Sequence, residues 1–147
     1  MMRVLIVDDH VGMRQILVRL LDGMSETEIV AEAADGFAAV QLASECQPDI
    51  VVMDVEMPRL DGIGATRRIV AENPDMRIIG LSTHDSDVCV NAMLAAGACA
   101  YVLKDEMFPD LIEAVEAAAE GKTYLSPSLA RQRSANIPFA TKARVML

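Results

Sequence analysis

Hydrophobic positions along the chain alternate between two periods. Val4-Leu5-Ile6-Val7 is a short continuous run, mostly β-branched, the mark of a buried strand. Met13, Ile16, Leu17, Leu20 and Leu21 then recur at helical spacing and stop at Gly23. Thr27 to Ala33 predicts a second strand. Gly36 to Glu45 predicts a helix, with Phe37, Val40 and Leu42 among its apolar residues, ended by Gln47-Pro48. Ile50 to Met53 is a wholly apolar third strand. A helix over Asp61 to Glu72 closes at Asn73-Pro74, and Arg77 to Leu81 is a fourth strand. Asp85 to Ala96 predicts a helix stopping at Gly97, Ala100 to Leu103 a fifth strand, and Pro109 to Glu120 a fifth helix stopped by Gly121.

Strand–helix alternation implies a parallel sheet with right-handed crossovers and helices on both faces. The expected fold is α/β, a flavodoxin-like (βα)5 with five strands in the order 2-1-3-4-5. Beyond Gly121 the periodicity fades. Ser126-Pro127-Ser128 and Ile137-Pro138 read as linker, with room for a short helix near Leu129. The expected division is one domain over residues 1–121 and a linker or tail over 122–147.

Composition supports this reading. Of 147 residues 52% are hydrophobic but only 3% aromatic, with no Trp, so the core must be aliphatic. The net charge of −9 argues against a bare nucleic-acid-binding module, which shows a basic face. Lys122, Arg131, Arg133, Lys142 and Arg144 follow Gly121 with no acid among them. That leaves 8 of the 13 basic residues against all 22 acids in residues 1–120, a charge of −14 there. Either this is an acidic domain with a basic tail, or some of the acid is gathered in a cation site. Cys46, Cys89 and Cys99 lack metal-like spacing and read as reduced core thiols of a cytoplasmic protein. Acids by Asp8 leave no signal-peptide pattern before the first strand. The uncharged stretch from Ala92 to Leu103 is too short for a bilayer, which needs about 20 residues.

In an open parallel sheet, ligands bind beyond the carboxyl ends of the strands, where strand order reverses. Asp8-Asp9 follows strand 1, Asp54 strand 3, Ser82-Thr83 strand 4 and Lys104 strand 5. Crowded carboxylates repel unless a cation or donor compensates. A hard divalent cation, Mg2+ or Mn2+, suits such oxygens. An aspartate beside it can attack phosphorus, while Lys104 and Ser82 offset charge on the transferred group. Each residue alone has a duller explanation. Asp8-Asp9 would cap the next helix or be solvated, Asp54 would cap the turn before Pro58, Ser82 would be a loop hydroxyl and Lys104 a solvated charge. Convergence at adjacent strand ends separates the two.

Val4 to His10, Met53-Asp54-Val55-Glu56-Met57-Pro58 with Asp61-Gly62, Leu81-Ser82-Thr83, and Ala100 to Lys104 together resemble the response-regulator receiver domain of two-component systems. The resemblance covers about residues 2 to 121. It implies that Asp54 is the phospho-acceptor for a sensor histidine kinase. It implies Asp9, Asp54 and the Glu56 backbone carbonyl as Mg2+ ligands, with Asp8 acting through a metal-bound water. Ser82 and Lys104 would contact the phosphoryl oxygens. It also implies a switch in which Ser82 moves toward the phosphoryl group and Tyr101 turns inward. Glu56 and His84 would flank the phosphoryl group and tune its loss to water.

The chain departs from many receivers in having Lys104-Asp105 rather than Lys-Pro, so no cis proline is expected there. That form, with Gly121-Lys122-Thr123-Tyr124-Leu125-Ser126-Pro127, resembles the NarL/FixJ subfamily with its LuxR-type helix-turn-helix output. Residues 122–147 are too few for a DNA-binding domain, since domains below about 40 residues rarely fold unaided. Phe139 to Leu147 resembles only its first turns, the product of a cut, a truncation or a decayed remnant. DNA binding is therefore expected only through an output domain not complete in this chain. The alternative is a stand-alone receiver, a protein-interaction switch or phosphorelay carrier. Neither is a turnover enzyme. Helix 4, strand 5 and helix 5 offer apolar residues around Val102 and Leu111, either a homodimer face or core. A cobalamin-binding reading fails at Met13, where Gly is needed. A haloacid dehalogenase phosphatase would need Asp-x-Asp, which Val7 to Val11 lacks.

Overall fold

The computed structural model describes residues 1–135, and residues 136–147 with the Phe139–Leu147 segment lie outside them. Six parallel strands form one sheet in the order β2-β1-β3-β4-β5-β6. They are β1 (Met2–Val7), β2 (Thr27–Ala33), β3 (Ile50–Asp54), β4 (Arg77–Ser82), β5 (Ala100–Leu103) and β6 (Tyr124–Leu125). The helices are α1 (Val11–Asp22), α2 (Gly36–Cys46), α3 (Gly62–Glu72), α4 (Asp87–Ala96), α5 (Met107–Ala119) and α6 (Pro127–Ala135), with a 3-10 turn at Lys104–Glu106.

The first five strands follow the expected order. The expected count of five is corrected to six. A two-residue strand carries no readable period, and Tyr124-Leu125 pairs only because Tyr101 and Leu125 fall in register at the β5 edge. Other boundaries follow local chemistry. Ser86 caps α4 with its Oγ accepting from Cys89 N at 3.3 Å, so the helix starts at Asp87 rather than Asp85. Phe108, ahead of Pro109, takes a non-helical φ of −108° and ψ of 105°, so regular turns of α5 begin at Pro109. The Phe108–Pro109 bond is cis.

Side chains of each strand alternate between two core layers. Leu5, Val7, Val51 and Met53 face α2, α3 and α4, while Val4, Ile6, Ile50 and Val52 face α1 and α5. Val102 and Leu111 are fully buried in the second layer, which makes them core rather than a dimer face. The three cysteines are unpaired but half-buried rather than core. No described helix is long and apolar enough to cross a membrane.

The chain after Gly121 is held against the sheet. Leu125 and Leu129 are buried in the layer that contains Met93 and Tyr101. Ser126 is fully buried: its N–H donates to Tyr101 O at 3.0 Å, and its Oγ accepts from Leu103 N at 2.9 Å. Ser128 Oγ donates to Glu106 at 2.6 Å. Leu129→Ala should therefore cost about 2–4 kcal/mol of stability in urea unfolding, as for other buried leucines. An unchanged midpoint would mean that α6 does not dock.

Candidate functional site

Parallel pairing places four strand ends on one edge. Val7 pairs with Met53, Asp54 with Leu81 and Ser82 with Leu103, so Asp8, Asp54, Ser82 and Lys104 emerge side by side. Gly62 allows the next helix to start close by. A Cβ there would collide with the carbonyl oxygen of Asp54 and Val55 Cα, and Gly62 N–H donates to Val55 O at 2.9 Å.

Lys104 Nζ stands 3.2 Å from Asp8 Oδ2 and 3.2 Å from Asp54 Oδ1. Asp8 and Asp54 are both buried, and the lysine side chain is 13% exposed. Burial pushes the Asp54 carboxyl up to about 7, with the Asp8 charge adding and Lys104 opposing. Burial pulls the Lys104 ammonium down, but Asp54 and Asp8 outweigh it and leave its pKa above the ordinary value. One ammonium between two acids is incomplete compensation. Among the described residues, Asp54 Oδ2 is buried with no hydrogen-bond partner, as is Asp9 Oδ1. His10 Nδ1 lies 3.1 Å from that Asp9 oxygen, without the alignment of a hydrogen bond.

The geometry decides against the capping explanations. His10, not an aspartate, occupies the N-cap of α1, and no side chain caps that helix. Asp8 Oδ1 accepts from His10 N at 2.9 Å, outside the helix. Asp54 does accept from Glu56 N at 3.3 Å, as a turn aspartate would, but this uses only Oδ1. Ser82 is a buried residue at the end of β4 rather than a loop hydroxyl.

Asp8, Asp9, His10 and Asp54 each place one ligand atom within 4.8 Å of the others. The acidic cluster can hold a metal ion, and the donor set fits a hard cation: carboxylate oxygens, two of them orphaned.

Ser82, Glu56, His84 and Tyr101 form a second, connected group. Ser82 Oγ is 2.6 and 2.8 Å from the two Glu56 carboxylate oxygens, to which it donates, and it accepts from His84 N at 2.9 Å. Tyr101 is fully buried, and its hydroxyl donates to His84 O at 2.8 Å. Burial pushes that phenol up to about 12. The inward position of Tyr101 is thus present in this structure. His84 Nε2 is 3.9 Å from Glu56 Oε1.

Two contributors escape sequence reasoning. Arg14 Nη1 donates to the backbone carbonyl of Asp8 at 2.7 Å while its Nε pairs with Glu32 at 3.4 Å, fixing the turn after β1. His10 joins the acidic cluster. Adjacency to Asp9 was the available signal for His10; for Arg14 there was only its place one turn into α1.

Residues 4–116 match the model of the response regulator receiver domain. The chain belongs to the response-regulator receiver family. It is similar to the transcriptional regulatory protein DegU of Brevibacillus brevis, 38% identical over 86% of this chain and 54% of that protein. Among solved structures it resembles a LuxR-family two-component response regulator from Aurantimonas sp. SI85-9A1, with TM-score 0.89 and 36% identity over 92% of this chain and 96% of that one. It also resembles the isolated receiver domain of RcsB from Salmonella enterica serovar Typhimurium in the presence of phosphomimetic BeF3-, with TM-score 0.82 and 26% identity over 88% and 96%. The receiver family match covers the acidic cluster, Ser82, Tyr101 and Lys104 alike. This chain spans about half the length of DegU.

The raised Asp54 carboxyl sets a pH dependence. In chelator, the folded receiver keeps a proton that the unfolded chain, with an ordinary value of 3.8, has released. Stability should therefore fall as pH rises from about 4 to about 7, then level off. Asp54→Asn should flatten that slope and stabilise the metal-free protein at pH 8 by on the order of 2–4 kcal/mol. A slope unchanged in Asp54→Asn would contradict the assignment.

Proposed function

We propose that Asp54 accepts a phosphoryl group from the phosphohistidine of a sensor kinase. The oxygen–phosphorus bond forms at the Asp54 carboxylate, the phosphorus–nitrogen bond of the donor breaks, and the electron pair leaves with its imidazole. The observation that carries this reading is a buried acceptor with one oxygen unpartnered, flanked by Lys104. A bound Mg2+ (or Mn2+), held by Asp9, Asp54 and the Glu56 backbone carbonyl with Asp8 behind a water, would neutralise charge developing on the phosphoryl oxygens. Lys104 can transfer its Nζ from Asp54 to a phosphoryl oxygen with a small movement. Ser82 offers a hydroxyl to another, and Tyr101 reports its position through the His84 segment. Glu56 and His84, which approach each other beside Ser82, would tune attack by water on the acyl phosphate. The phosphoryl group shifts the conformational population only by its differential contacts with the two forms.

The same reading makes the protein a phospho-acceptor rather than a turnover enzyme, and a cytoplasmic one. Its receiver domain spans residues 1–121, with 122–147 as the tail. DegU is named a transcriptional regulator. By that similarity the parent protein regulates transcription, with DNA contacted through an output domain; RcsB forms dimers bound to DNA, and that likeness supports a homodimer as partner. The alternative is a stand-alone interaction switch or phosphorelay carrier, and the genomic reading frame beyond Leu147 separates the two.

Beryllofluoride with Mg2+ tests the site. NMR should show shifts at Ser82, Lys104 and Tyr101 in the wild-type chain and none in Asp54→Asn. Equal shifts in both would remove Asp54 from its role.

A further inference from the structure

Ser82 has a single proton, and in this structure it is already committed. Both Glu56 carboxylate oxygens lie within 2.8 Å of Ser82 Oγ. The oxygen's acceptor side is occupied too, by His84 N at 2.9 Å. A hydrogen bond from a hydroxyl to an ionised carboxylate is among the stronger ones available. Glu56 is also half-exposed, so it can leave without burying a charge. An anion attached to Asp54 that is to bond the Ser82 hydroxyl must therefore take its proton away from Glu56. The two acids already oppose each other, since the Glu56 charge helps raise the Asp54 carboxyl.

We propose that Glu56 is a positioning residue: its carboxylate is an intramolecular acceptor that occupies the Ser82 hydroxyl and is expelled by the phosphoryl group. This rests on Asp54 being the phospho-acceptor, and it adds a competition that the acceptor chemistry does not require. Two forces drive the expulsion. The phosphoryl group offers Ser82 a more highly charged acceptor, and its negative charge repels the carboxylate. The consequences run along a continuous path. Ser82 Oγ holds the His84 N–H, and the His84 carbonyl holds the Tyr101 hydroxyl. Exchange of the Ser82 partner thus reaches Tyr101 through two bonds of one residue. Chains of this kind reinforce one another, so a change at one end is felt at the other.

The competition is measurable with beryllofluoride at saturating Mg2+, followed by NMR on the full chain. Glu56→Ala should bind it about tenfold more tightly than wild type, because Ser82 is freed and a like charge is gone. Glu56→Gln keeps a neutral acceptor for Ser82 and should fall between the two. Without any beryllofluoride, Glu56→Ala should already shift the Tyr101 ring resonances. In a Ser82→Ala background the gain from Glu56→Ala should shrink to within about twofold. Unchanged or weaker binding by Glu56→Ala would overturn the proposal. So would a full gain in the Ser82→Ala background, since that is charge repulsion without competition for the hydroxyl. Wild-type chain that binds no beryllofluoride, or binds it equally as Asp54→Asn, would instead remove the phospho-acceptor reading itself. Normal wild-type binding with an unmoved Glu56→Ala would remove only the role of Glu56.

Discussion

The ammonium of Lys104 between two buried carboxylates is the contact on which the rest of the site depends. Two acids cannot remain charged at this depth without a counter-charge, because desolvation and mutual repulsion both favour their protonation. Lys104 supplies part of that compensation from the end of β5, 3.2 Å from Asp8 and from Asp54. It leaves the remainder to whatever else enters, as the raised Asp54 carboxyl and its orphaned oxygen record. A site built this way is short of positive charge and rich in oxygen, and its acidic cluster can hold a metal ion.

The same edge carries the outward connection. From Ser82 the path runs through the His84 backbone to the Tyr101 hydroxyl. Tyr101 belongs to β5, and its carbonyl accepts from Ser126 beside Leu125, its partner in the β5–β6 pairing. Leu129 of α6 lies in the same apolar layer. Movement at the strand ends is thus one strand away from the tail, while α1 and α5 on the opposite face share no part of that layer.

Much of this was legible in the sequence because the central strands are short, their inner residues are apolar, and β1, β3, β4 and β5 each end at or just before a chemically distinctive residue. Parallel topology then does the assembly: once Asp8, Asp54, Ser82 and Lys104 are assigned to strand ends, the fold brings them together without further information. The parts that were not legible depend on contacts with no local signature. Tyr124-Leu125 is too short to show a period. Leu129 is an apolar residue in a polar segment, and only its packing into the apolar layer that holds Tyr101 makes it core. Val102 and Leu111 could not be assigned from pattern, because a covered face and a binding face have the same composition until α5 is in place. Glu56 was marked for its distance in sequence from Asp54. Its grip on Ser82 arises from loops that meet only in three dimensions.

The most direct measurement is the chemical location of the phosphoryl group after incubation with acetyl phosphate and Mg2+. Borohydride reduction of the acyl phosphate followed by peptide mapping reads that location. The account predicts one modified residue, Asp54, with labelling lost in chelator. Modification at Asp8, Asp9 or another residue, or labelling of Asp54→Asn to the wild-type extent, would contradict it.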